Sequence, residues 1–98
     1  MTAADLRATL AGTEPPAGLS LARQTLWWDA KGDWDRAHAC AMADDSADGA
    51  AVHAYLHRKE GDLSNARYWY NRAGRPPAEN SLEDEWEVLA AELAERPA

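Results

Sequence analysis

Apolar residues recur three and four positions apart along most of this chain, and no stretch alternates apolar with polar over a strand's length. β-Branched residues are scarce, so the pattern predicts an all-α protein. Thr2 is placed to cap a short first helix, with Asp5 three residues on and Leu6 and Leu10 sharing a face. Gly12 ends it, and the Gly/Pro-rich stretch 12–18 reads as loop. A second helix is expected over 19–30, where Leu19, Ala22, Leu26 and Ala30 keep register and Trp27 and Trp28 widen the apolar face. A third should span about 34–43, with Trp34, Ala37, Ala41 and His38 inward, before Asp44-Asp45-Ser46 interrupts. The fourth, about 47–59, carries Val52, Ala54 and Leu56, and places His53 and His57 one turn apart. The fifth, 63–73, turns Leu63, Ala66, Tyr70 and Ala73 inward and stops at Gly74-Arg75-Pro76-Pro77. Asn80 or Ser81 caps a last helix over about 81–95, whose apolar stripe is Leu82, Trp86, Leu89 and Leu93 and whose other faces are acidic.

Two turns in this pattern are written alike. Gly32-Asp33-Trp34-Asp35-Arg36-Ala37 and Gly61-Asp62-Leu63-Ser64-Asn65-Ala66 lie 29 residues apart. Each is a Gly-Asp turn, an apolar anchor and then a small Ala, which ends one helix and starts another close against it. The repeat predicts stacked antiparallel helical hairpins in one domain, 1–98. Hairpin 1 covers 19–45 and hairpin 2 covers 46–77, with an N-terminal helix and loop (1–18) before them and a capping helix (80–95) packed on the last hairpin.

Composition narrows the function. Five Trp and three Tyr with no Phe suggest several half-buried rings with polar edges. The net charge of −7 is uneven: residues 1–57 hold four basic and eight acidic groups, 58–75 five and two, 76–98 one and seven. The sign argues against nucleic acid as a partner, while the basic 58–75 stretch suits a smaller anion. No apolar run approaches the ~20 residues of a membrane span. The N-terminus lacks the basic and apolar regions of a secretory signal, and Cys40 alone can form no internal disulfide. A cytoplasmic protein is expected.

No complete catalytic motif is visible, so an enzyme is not expected. His53 and His57 at i, i+4 have metal-ligand spacing, but two ligands make no site, and His38 and Cys40 sit on another helix. The expected reading is two hydrogen-bonded helix histidines, with neither metal nor cofactor. Cys40, in Ala-His-Ala-Cys-Ala-Met-Ala, reads as helix packing rather than a nucleophile. Tyr68, Trp69 and Tyr70 point about 100° apart on a helix and cannot share a face. Tyr70 should be core, one of the others should pack near Trp86, and Arg67 and Arg72 should meet the last helix's carboxylates.

The hairpins resemble tetratricopeptide repeats. The second carries the likeness best, from Tyr55 through Gly61-Asp62 to Ala66, with Tyr70, Ala73 and Pro76-Pro77 at matching places. In the first, Trp28, Gly32, Trp34 and Ala37 match, while Ala41 and Asp44 depart. The run His-x-x-x-His-Arg-Lys-Glu-Gly-Asp…Asn-Ala-Arg-Tyr-Trp-Tyr-x-Arg-Ala-Gly also resembles a family of small uncharacterised proteins, which implies no activity. The tetratricopeptide likeness implies a concave peptide groove lined by Leu26 and Asp29 from hairpin 1 and by Tyr55, Arg58 and Lys59 from hairpin 2. His53 and His57 fall where that family packs apolar groups. The expected function is a non-enzymatic protein- or peptide-interaction module whose partly basic groove takes an acidic peptide or small anion. One alternative is a small-ligand or enzyme-accessory protein with a polar pocket of His53, His57, Arg58 and Arg67. A surface serving mainly homodimerisation is another.

Overall fold

The computed structural model describes residues 1–96 and is all-helical. α1 (Ala3–Ala8) runs into a 3₁₀ turn at Thr9–Ala11. Five helices follow: α2 (Leu21–Ala30), α3 (Trp34–Met42), α4 (Ala47–Lys59), α5 (Leu63–Ala73) and α6 (Leu82–Ala94). No strand occurs among the described residues.

Each α-helix begins on a side-chain cap that the sequence supplies. Thr2 and Asp5 close a capping box on α1. Ser20, Asp33, Ser46, Asp62 and Ser81 each accept the backbone N–H three residues ahead. Ser20 therefore moves the start of α2 to Leu21 and leaves Leu19 outside it. Of the two candidate caps for α6, Ser81 is the one used. The twin turns are twins in space as well. Gly32 and Gly61 take φ of 82° and 88°. The N–H groups of Asp33 and Asp62 donate back to the carbonyls of Trp28 and His57, both at 2.9 Å. A glycine relieves the left-handed position and the following aspartate caps the next helix.

Turns of this kind lay α3 against α2 and α5 against α4, giving two hairpins. α4 is the central helix, touching α2, α3, α5 and α6. Every residue from Gly49 to His57 is buried, although only about half are strongly apolar. Gly49, Ala50, Ala51 and Ala54 let neighbouring helices approach closely enough to seal it. One core joins Leu6, Leu26, Trp27, Val52, Leu56, Trp86, Leu89 and Leu93, while Ala54, Ala66 and Tyr70 form a second between α4 and α5.

α6 does not simply cap the last hairpin. It lies along α2 and α4 of both hairpins and against α1, so its stripe closes the main core. Two expected inward positions fail: Ala30 is exposed, and Leu63 is 57% exposed. No helix among the described residues is long and apolar enough to cross a membrane.

Candidate functional site

The side chains expected to line a peptide groove are largely engaged within the molecule. Leu26 is fully buried, and its carbonyl accepts from the indole N–H of Trp86 on α6 at 3.0 Å. It faces core, not groove. Asp29 and Tyr55 are buried together: the Tyr55 hydroxyl donates to Asp29 Oδ2 and Lys59 Nζ to Asp29 Oδ1, both at 2.8 Å. Arg58 Nη1 donates to Glu85 Oε1 at 2.8 Å, and its Nη2 donates to the Asn80 carbonyl. Glu85, itself buried, also accepts from the Tyr70 hydroxyl at 2.6 Å. Burial first, and then the adjoining carboxylates, push both phenols well above their usual range. The acidic helix of the chain thus occupies the face where an outside acid was expected, because Trp86 and Leu89 carry Glu85 into the core with them.

The four residues of the expected His/Arg pocket separate. Arg58 and Arg67 line a cleft on the α5 side, whereas His53 and His57 turn toward α3 and meet His38. Nε2 of His53 and Nε2 of His38 lie 3.1 Å apart. His57 Nδ1 lies 2.7 Å from Glu60 Oε1, and Asn65 Nδ2 lies 3.3 Å from His57 Nε2. Trp34 stacks on His38 at 4.6 Å, and Trp69 on His53 at 3.8 Å between ring centroids. Desolvation, aided by the charges of His57, His38 and Arg72, holds His53 down to about 4. Burial and then His57 lower His38 as well. Both rings are therefore neutral ligands or acceptors at neutral pH. Nδ1 of His53 is buried with no hydrogen-bond partner among the described residues.

His38, which lies on a different helix from His53 and His57, joins this cluster. The signal was present: His38 lies five residues after Asp33 of the Gly-Asp turn that pairs α3 with α2, and α3 also packs on α4. Of Trp69 and Tyr68, one of which was expected near Trp86, Trp69 packs on His53 and Tyr68 is exposed. The last helix's carboxylates meet Arg7, Arg58 and Arg75 rather than Arg67 and Arg72. Arg72 instead lies over the rings of Trp69 and Tyr68. Cys40 is half-buried, and burial raises its thiol pKa, which suits an unreactive side chain.

Of the surface clefts, two bear on binding. One of about 370 Å³ is lined by Arg7, Leu10, Tyr55, Lys59, Glu83 and Trp86 among others. Its two cations are each paired, Arg7 with Glu87 and Lys59 with Asp29. The second, about 300 Å³, lies between α5 and the segment after it, bounded by Arg58, Leu63, Ala66, Arg67, Tyr70, Pro77 and Ala78. Arg67 on its rim makes no ion pair, hydrogen bond or ring contact among the described residues. No protein-family model, curated protein or solved structure matches this chain.

Proposed function

We propose that this protein is a non-enzymatic interaction module of tetratricopeptide-like hairpins that takes an acidic peptide in the cleft between α5 and Pro77–Ala78. The observation that carries this reading is Arg67, a cation whose side chain has no partner among the described residues, on the rim of an apolar cleft beside Leu63, 57% exposed. A leucine-sized side chain of the peptide would cover Leu63, Ala66 and the Tyr70 ring. A neighbouring carboxylate would take the Arg67 fork. The net positive 58–75 stretch favours that sign of ligand. The site differs from the groove expected between the first helices of the hairpins, which α6 covers.

Selection of displayed random peptides on the immobilised protein tests this. Enriched peptides should pair Asp or Glu with a Leu or aromatic side chain. Arg67→Glu should weaken them by roughly tenfold or more, as for loss of a charged hydrogen bond, with helical content unchanged. Peptides that bind the Arg67→Glu protein as tightly as the parent, or no enrichment at all, would reject the cleft as the site.

A further inference from the structure

We propose that His38, His53 and His57 form a binding site for one divalent transition-metal ion of the imidazole-preferring kind, zinc above all. One ring nitrogen from each residue lies within 4.8 Å of the other two. The Nε2 atoms of His38 and His53 are 3.1 Å apart. Two imidazole nitrogens bound to tetrahedral zinc at 2.0–2.1 Å are separated by about 3.3 Å, so this edge of the site is nearly formed. Small rotations of the third ring complete it.

The surroundings are those of a metal site. Glu60 accepts only, so its 2.7 Å contact puts the proton of His57 on Nδ1 and leaves the lone pair on Nε2, where the ion would displace the Asn65 amide that now lies 3.3 Å away. A carboxylate behind a ligating histidine is the common outer-sphere arrangement, and it fixes tautomer and ring angle. Trp34 and Trp69 clamp the other two rings by stacking. Glu60 and Asp35 supply negative charge near the cluster, and Arg72 opposes it.

A purely hydrogen-bonded histidine cluster explains less. His38 and His53 then share one proton between facing Nε2 atoms, while in either arrangement Nδ1 of His53 is buried with no protein partner among the described residues. An ion takes the lone pairs of both facing nitrogens and replaces that shared proton. The ring that had donated moves its N–H to Nδ1. His38 is half-exposed and gives the ion a way in.

The test is titration of the chelator-treated full chain with zinc chloride by calorimetry, and with cobalt(II) by visible absorption. One ion per chain and a tetrahedral cobalt spectrum are expected. His38→Ala removes a ligand on the more exposed ring, and circular dichroism will show the fold retained. It should cost more than the ~10- to 100-fold typical of outer-sphere changes, and Glu60→Gln should fall within that range. His53→Gln, isosteric enough to keep the buried position filled, gives the second ligand test. Absence of zinc binding at millimolar ion overturns the proposal. So does binding untouched by His38→Ala but lost in Asp62→Asn, which places the ion on buried His57 with the exposed carboxylates of Glu60 and Asp62 instead.

Discussion

Glu85 is 5% exposed between the guanidinium of Arg58 and the hydroxyl of Tyr70. A buried ion pair adds little net stability against an apolar replacement, but removing one partner strands the other charge. Glu85→Ala should therefore lower unfolding free energy by about 3–5 kcal/mol, measured by urea denaturation. A loss under ~1 kcal/mol, the range of an exposed pair, would mean that Arg58 escapes to water. The identity of Glu85 as an acid in the first turn of α6 was legible from its spacing after Ser81. Its burial was not, because the turn's charges look alike until tertiary packing points one of them inward. The same applies to His53 and His57: their shared face was visible in the i, i+4 spacing, whereas the third ring came from another helix.

Helix α4 shows how an element's environment escapes pattern reading. Its spacing gave bounds of 47–59, which the structure reproduces, and three apolar members, where the structure buries nine consecutive residues. Gly49 marks the closest approach. A Cβ there would stand 2.3 Å from the Asp44 carbonyl oxygen and 2.5 Å from Asp44 Cγ. Alanine is the better helix former by about 1 kcal/mol, yet overpacking costs about 1–3 kcal/mol. Gly49→Ala should thus lower the thermal midpoint. A raised midpoint would show that the Asp44–Ser46 link yields and that helix propensity dominates. At the helix ends, local chemistry ruled. Caps at Ser46, Asp62 and Ser81 and the glycine turns set boundaries without help from distant residues.

Across the whole molecule, Trp86 ties the last helix to the first two. It is buried, donates to the Leu26 carbonyl and carries the Arg7 guanidinium 4.3 Å above its ring. Trp86→Ala should cost about 3–5 kcal/mol, as large-to-small core changes do, a large share of the ~5–15 kcal/mol available to a domain of this kind. Chemical denaturation with near-ultraviolet circular dichroism measures it. A loss below ~1 kcal/mol would show α6 to be a loosely held appendage. The sequence by itself determined the helices, their caps, the twin turns and the pairing of α2 with α3 and α4 with α5, because hydrogen bonds and φ preferences within a few residues decide them. Only the tertiary structure decided that α6 covers the face formed by α2 and α4, that Arg58 and Lys59 are spent on Glu85 and Asp29, and that three histidines converge. Those outcomes depend on which of several acidic and aromatic side chains reach the same space, and contacts between residues 26 and 86, or 38 and 53, leave no mark on local periodicity.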